Sequence, residues 1–251
     1  MTSADHVHHA GRSTRLELSD ATLREWDATV LDAGPDGIVL DRSAFYPGGG
    51  GQPPDAGVLL WGGVQTRIVG ARKTAAVGGD VLLLPAEGDP LPPVGTAVRG
   101  AVADERRTAL MRTHSALHLL GGVVLRDFGA LATGGNMEPL SARIDFNLPD
   151  LPADFKERIA AACAAEVAAD RRIDVRVLPR EEAYALPNLL GTETDLLPPE
   201  LTEVRIVDIV GLDLQADGGT HVASTRQIGR LEVVKVENKG KANRRLRIRL
   251  V

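Results

Sequence analysis

The sequence is short of several things, and each shortage narrows the field before any motif is read. It holds one cysteine, Cys163, in 251 residues. Neither an internal disulfide nor a multi-thiolate metal site can form, which fits a reducing compartment. Aromatic residues make up 3%, too few for a platform that stacks several bases of a single strand. No run approaches the roughly 18 to 20 uninterrupted apolar residues of a membrane-spanning helix. The N-terminal Met1-Thr-Ser-Ala-Asp-His6 lacks a basic segment leading into an apolar one, so secretion and membrane insertion are disfavoured and a cytoplasmic location is expected. Lysine is scarce beside arginine, which with the abundant alanine reads as genome base composition rather than function.

What is present is enough for a folded body. Apolar residues make up 43%, sufficient for one sizeable core or two modest ones, hence one or two domains. The net charge of −5 is unevenly spread, because Lys235 to Arg249 holds seven Lys and Arg against one Glu. A basic segment on an acidic body suggests a local patch for an anionic partner such as phosphate or nucleic acid. A strand edge blunted by charge would give the same composition.

The first thirteen residues, including His6, His8 and His9, show no apolar period and are expected to form a flexible tail. From residue 14 to about 101, short apolar runs alternate with turn signals: 28–31, 37–40, 58–61, 64–69, 81–84 and 94–102, punctuated by Asp36-Gly37, Gly62-Gly63 and Gly78-Gly79. That pattern predicts a small antiparallel β-barrel or sandwich. Tyr46-Pro-Gly-Gly-Gly-Gly-Gln-Pro-Pro-Asp55 is too rich in Gly and Pro for an element interior, and reads as a loop able to approach another surface closely.

Beyond residue 101 the period changes. Asp104 is placed to cap a helix, and Leu110, Met111, His114, Leu117, His118 and Val124 recur at three- and four-residue intervals, predicting one helix over about 104–126. A second helix is expected over 153–171, with Phe155, Ile159, Cys163 and Val167 on one face, which makes Cys163 a small core residue. Strands are expected at 141–146, 174–178, 204–210, 228–236 and 245–251. The fold class is therefore α+β: an N-terminal antiparallel barrel over 14–101 and a helix-on-sheet domain over 102–251.

Two segments carry the chemistry. His114 and His118, four apart on a helix, present their imidazoles on one face at a spacing that can serve one metal. Packing or capping explains such a pair as well, and without a Glu between them the metalloprotease pattern is absent. A hundred residues later, Gln215-Ala-Asp-Gly-Gly-Thr-His221 uses two glycines to force a tight turn between Asp217 and His221. Together the segments offer His, His, Asp and His, residue types that bind a divalent ion at about 2 Å. Asp145 is open to two readings, a base or a partner of Arg143, and Gly218 and Gly219 to two more, plain turn geometry or backbone N–H groups offered to a substrate.

Four ordered motifs give a resemblance. Phe45-Tyr-Pro-Gly-Gly-Gly-Gly-Gln52 with Asp55 and Gly57, Arg112-Thr-His-Ser-Ala-Leu-His-Leu-Leu120, Ala142-Arg-Ile-Asp-Phe146, and Asp213-Leu-Gln-Ala-Asp-Gly-Gly-Thr-His-Val222 with Thr225 and Ile228-Gly229 appear in this sequence. From about residue 20 to the C-terminus the chain resembles the free-standing alanyl-tRNA editing proteins, the AlaX-like group, which are similar to the editing domain of alanyl-tRNA synthetase. The N-terminal barrel with its glycine-rich loop matches the medium-sized type. The resemblance implies a hydrolase that removes a wrong amino acid, chiefly serine and in second place glycine, from tRNA(Ala). Such a second site answers a binding limit, since an alanine pocket cannot exclude glycine by size and rejects an added hydroxyl only weakly.

By the same resemblance one Zn2+ is held by His114, His118, Asp217 and His221, with His114, His118 and Thr220 as catalytic candidates. Gln52, Ser115, Asn136, Gly218 and Gly219 are candidates for substrate binding. Lys239, Lys241, Arg244 and Arg245, in the basic segment, are candidates for tRNA contact through phosphates. The expected partner is the acceptor end of mischarged tRNA(Ala); no membrane and no obligate protein partner are implied. Two departures stand out. The family commonly has Cys where this chain has Asp217, a harder ligand that predicts a more exchangeable zinc site open to other divalent ions. Leu117 stands where the synthetase domain commonly has a Thr that reads the serine hydroxyl. The alternative reading is a metal-free tRNA-binding adaptor built on the same fold.

Overall fold

The computed structural model describes residues 13–74, 79–186, 189, 201–240 and 242–251, so His6, His8, His9, the tail through residue 12 and Lys241 lie outside it. The chain divides into two compact units: residues up to Gly48 with Pro54–Asp104, and Gly49–Pro53 with Glu105–Val251. Among the described residues no helix is long and apolar enough to cross a membrane.

The first unit contains β1 (Thr14–Arg15), β2 (Glu25–Gly34), β3 (Gly37–Leu40), β4 (Arg42–Ser43), β5 (Gly57–Trp61), β6 (Val64–Lys73), β7 (Val81–Pro85) and β8 (Ala97–Val102). Six of these close into an antiparallel barrel in the order β2-β3-β7-β6-β5-β8. Alternation does the work: Trp26, Ala28 and Val30 on β2 turn inward while their neighbours face solvent. Trp26 meets Phe45 edge to face at 5.1 Å, and it fits because Gly100 opposite has no side chain; a Cβ there would lie 2.3 Å from the indole. The last strand starts at Ala97, three residues later than the apolar run suggests, because Pro93 and Gly95 hold a turn and leave Val94 exposed.

The second unit is built on α1 (Asp104–Phe128), β9 (Ala132–Glu138), β10 (Ser141–Asn147), α2 (Phe155–Ala168), β11 (Ile173–Pro179), α3 (Arg180–Tyr184), β12 (Glu203–Ile209), β13 (Asp213–Ala216), β14 (Leu231–Asn238) and β15 (Asn243–Leu250). They form a four-stranded sheet, β14-β15-β10-β9, and a three-stranded one, β11-β12-β13. On the larger sheet Ile144, Phe146, Leu246, Ile248 and Leu250 face the core, and α2 packs on β14. Strands β9 and β13 escape the apolar-run reading, since Ala-Thr-Gly-Gly-Asn-Met-Glu and Asp-Leu-Gln-Ala carry almost no apolar alternation. Strand β14 begins at Leu231 rather than Ile228, because a 3-10 turn over Thr225–Ile228 ends at Gly229 with φ +78°. That positive φ suits glycine alone, and Arg112 fills the space a Cβ would need.

The α2 period carries one correction. Phe155, Ile159 and Cys163 are buried as expected, but the fourth buried position is Glu166 rather than Val167. Its carboxylate is bridged by Arg126 and Arg171, while its carbonyl accepts the Thr225 hydroxyl at 2.7 Å. Cys163 is fully buried and its thiol is pushed up to about 12 by desolvation, which suits a core residue and not a nucleophile.

The bridged carboxylate gives a stability test. Burial alone would raise the Glu166 pKa, but the hydrogen bonds from Arg171 and Arg126 outweigh it and hold the group below its ordinary value. A lowered folded pKa means stability present above the unfolded value of about 4.3 and lost as pH falls through the folded one. Glu166→Gln should cost about 2 kcal/mol at neutral pH in urea denaturation, and its deficit against the native chain should shrink below about pH 4. A deficit that does not change with pH would show that the charge is not what stabilises.

Candidate metal centre

The second unit brings together four groups from two segments. His114 and His118 come from the buried middle of α1, and Asp217 and His221 from the turn that follows β13. One ligand atom from each of the four lies within 4.8 Å of every other. Asp217 Oδ1 stands 3.6 Å from His114 Nε2, and Asp217 Oδ2 stands 3.0 Å from His221 Nε2. The ring centroids are 5.0 Å apart for His114 and His118, 4.4 Å for His114 and His221, and 4.7 Å for His118 and His221.

Each imidazole is held from behind by a different partner. His114 Nδ1 bonds Gln52 Oε1 at 2.9 Å, His118 Nδ1 bonds the Asp213 carboxylate at 2.9 Å, and His221 Nδ1 bonds Ser115 Oγ at 3.2 Å. With Nδ1 occupied, Nε2 is the nitrogen each ring has left for the centre. This is the arrangement by which proteins fix both tautomer and ring angle of metal-binding histidines, so the donor set and its supports fit a divalent ion of borderline softness.

Local sequence explains why the supports reach. Gly122, one turn beyond His118, has no side chain where the Leu212–Asp213 backbone approaches; a Cβ would sit 2.9 Å from Leu212. That closeness lets Asp213 meet His118. In the glycine-rich loop Gly49 and Gln52 exchange two backbone hydrogen bonds of 3.0 and 2.9 Å. Gly50 and Gly51 between them have φ of +57° and +84°, the turn that only such residues make readily. Gln52 is thereby presented inward, 2% exposed. Its Oε1 also accepts the Thr220 N–H at 3.0 Å, and its Nε2 donates to Thr220 Oγ1 at 2.9 Å.

Charge follows geometry. Burial, with Asp217 opposing it, drives His114 well below its ordinary value, and the same balance takes His221 to about 4. Burial thus biases both rings toward the neutral form, the one that offers a lone pair. Burial would also lower His118, but the Asp213 hydrogen bond and charge overcome it and raise that ring. Asp217 ionises readily: burial opposes the charge, but His114, His221 and His118 outweigh it and hold the pKa well below the carboxylate range.

The remaining predicted residues take varied places. Ser115 is fully buried, supports His221 and accepts the Val222 N–H at 3.2 Å. Thr220 is fully buried with its amide and hydroxyl on Gln52, so both act behind the cluster. Gly219 donates its N–H to Asp217 Oδ2 at 2.7 Å, whereas Gly218 is exposed. Asn136 is exposed on β9, its Cα 3.5 Å from where a Gly51 side chain would begin. Asp145 is bound by both arms of Arg245 at 2.7 Å, so it is an ion-pair partner and that arginine is engaged with it. Arg244 is buried, its guanidinium spent on the carbonyls of Pro149, Gly240 and Asn243 and on Asn238. Lys239 is exposed.

Two residues of the site carry no role in the sequence reading. Asp213 had a visible signal, since Asp213, Asp217 and His221 are spaced by four. Arg205 had none: only the pairing of β12 with β13 sets its Nη1 2.7 Å from the Asp217 carbonyl.

The chain is similar to proteins of known kind. A family model described as the threonyl and alanyl tRNA synthetase second additional domain matches residues 204–247. The alanyl-tRNA editing protein AlaX-M of Saccharolobus solfataricus is 35% identical over 231 residues, 92% of this chain and 96% of that one. Its namesake from Methanosarcina acetivorans is 33% identical over 238 residues, again 92% and 96%. The alanine–tRNA ligase of Pyrobaculum neutrophilum is 36% identical over 235 residues, which are 90% of this chain and 25% of the ligase.

Adjacent glycines provide the test of the centre. A Cβ on Gly219 would lie 2.2 Å from His114 Cε1 and 2.8 Å from Gln52 Oε1, while one on Gly218 meets nothing within 4 Å. Gly219→Ala should weaken zinc or cobalt binding by about 10- to 100-fold in chelator competition, the range seen when a supporting contact is lost. Gly218→Ala should leave it unchanged; equal effects would mean that His114 is not a ligand.

Proposed function

The chain belongs to the alanyl-tRNA editing proteins of the AlaX-M type, and on that premise we propose that it is a metal-dependent hydrolase acting on mischarged tRNA(Ala). The bond cut is the ester joining the amino acid to the terminal ribose, with Ser-tRNA(Ala) as chief substrate and Gly-tRNA(Ala) second. The observation that carries this reading is the convergence of three imidazoles and one carboxylate, each imidazole tied from behind.

His114, His118, Asp217 and His221 would hold the ion, zinc first, with other divalent metals admitted by the oxygen donor. When bound, such an ion lowers the pKa of water and polarises an ester carbonyl. The chain's own groups do the rest. Gln52, Asp213 and Ser115 fix the rings, so no reorganisation is needed when substrate arrives. Gly218 and Asn136, both exposed, remain to meet the aminoacyl group or its nucleotide. Leu117, 8% exposed beside His118, offers no hydrogen bond to a serine hydroxyl, so discrimination falls to Asn136 or to backbone groups of the 217–220 turn. Of Lys239, Arg244 and Arg245, Lys239 is the exposed cation left for phosphate. Engagement with tRNA suits a cytoplasmic protein.

Deacylation of Ser-, Gly- and Ala-tRNA(Ala), with and without chelator, decides the matter. Ser-tRNA(Ala) should be hydrolysed at least about 100-fold faster than Ala-tRNA(Ala), the discrimination a hydroxyl-reading site can supply. Chelator, or His114→Ala with His118→Ala, should remove turnover. Equal rates on the three substrates would end the proofreading assignment, and activity that survives chelation would end the metal-dependent one.

A further inference from the structure

The larger sheet of the second unit has a polar outer face whose order the strand registers fix. Register pairs Lys235 with Arg247, Arg247 with Arg143 and Arg143 with Asn136. Residues paired across neighbouring strands point to the same side, so these four form one row across β14, β15, β10 and β9. The row contains three cations and no acid. Parallel rows flank it: Glu237, Arg245, Asp145 and Gly134 on one side, Glu232, Arg249, Ser141 and Glu138 on the other. A bulge between Val233 and Lys235 makes this possible, because it shifts the phase of β14 so that Glu232, Lys235 and Glu237 all face outward.

Cations outnumber acids in a regular way. Glu237 is shared by Lys235 at 2.9 Å and Arg247 at 3.1 Å, and Glu232 by Arg230 at 2.9 Å and Arg249 at 2.7 Å. Asp145 is held by Arg245 at 2.7 Å with Arg143 farther off at 3.7 Å. Each of these three carboxylates thus has two cations beside it. The heads remain open to solvent, with side chains 63% exposed for Lys235, 47% for Arg247 and 36% for Arg143. Across the three rows five cations stand against four carboxylates, Glu138 being the fourth, so an otherwise acidic chain keeps a small surplus of positive charge on this face.

The row also leads somewhere. It ends at Asn136, beside Gly51, in the loop tip whose next residue is the Gln52 that supports His114. Resting on the tRNA-deacylase reading above, we infer that the acceptor stem lies across this sheet face, its phosphates following the row Lys235, Arg247, Arg143 toward Asn136. Contact of this kind gives affinity and register without reading sequence. It replaces the turn of the β14–β15 hairpin as the main contact, since Arg244 is buried there and Arg245, its side chain only 16% exposed, is held by Asp145 at two points, whereas the heads of Lys235 and Arg247 stay open beside Glu237.

Binding of uncharged tRNA(Ala), measured by fluorescence anisotropy at several salt concentrations, tests the face with variants of opposite sign. Arg143→Gln with Arg247→Gln should raise Kd about 10- to 100-fold and flatten the slope of log K against log salt by about one per cation removed. Glu232→Gln with Glu237→Gln should tighten binding several-fold and steepen that slope, a gain that misfolding cannot produce. Arg67→Ala with Arg99→Ala, on the barrel, should change neither. If both sheet variants keep native affinity and slope while the native protein deacylates Ser-tRNA(Ala), the face is wrong and the deacylase reading stands. If the native protein deacylates no aminoacyl-tRNA, that reading falls and takes the tRNA partner with it. Salt-sensitive binding to anionic phospholipid vesicles without tRNA binding would also overturn the inference.

Discussion

Three hydrogen bonds at the backs of three imidazoles are the constraint on which the site depends. A free histidine ring has two equivalent-looking nitrogens and a rotatable axis, so proximity of three rings does not by itself define a centre. Gln52, Asp213 and Ser115 remove that freedom one ring at a time. They also come from three places in the chain: a loop tip, the start of a strand and the helix itself. The centre therefore forms only when the sheet, the helix and the loop are all in register, which links the chemistry to completion of the fold.

Missing side chains make that register possible. Gly122 admits the Asp213 backbone to the helix, Gly219 leaves room for His114 and the Gln52 amide, and Gly51 lies against the Gly135 carbonyl, 2.9 Å from where its Cβ would be. The Met137 N–H donates to the Gly51 carbonyl at 3.1 Å, so the loop tip is bonded to β9 as well as to the cluster. Glycine costs conformational entropy on folding. Here the cost falls where backbone must come within contact distance of a histidine ring or another backbone, and an alanine would hold the surfaces apart.

These details divide what the sequence reveals from what it hides. The strands of the closed barrel, helices α1 and α2 and the four candidate ligand positions follow from local period and from two short motifs, because alternation and helical spacing are properties of neighbouring residues. Strands β9 and β13 do not, since their residues carry no apolar alternation and their strand character comes from the partners β10 and β12. Gln52 was visible as a polar residue in a glycine loop, but its side-chain partners lie 62 and 168 positions away. The same limit explains Arg244 and Arg245. Both contribute to a basic count, yet one points into the core and the other onto Asp145, and alternation along β15 decides which.

Asp217 shows how a turn can give a carboxylate a fixed direction. A thiolate presents one sulfur, and its orientation comes only from the side-chain torsion. A carboxylate has two oxygens that can divide the work. Asp217 Oδ2 accepts the N–H of Gly219, two residues on, at 2.7 Å, the self-bonded turn that Asp favours. That bond aims the other oxygen, Oδ1, toward His114 at 3.6 Å. The negative charge is balanced by Arg205, whose Nη1 donates to the Asp217 carbonyl and stands 3.9 Å from Oδ2. The glycine that clears space for His114 thus also supplies the donor that orients Asp217, so a carboxylate gains a fixed direction in a turn already built for another purpose. A cysteine at this position could not use that N–H as strongly, because sulfur is the weaker acceptor.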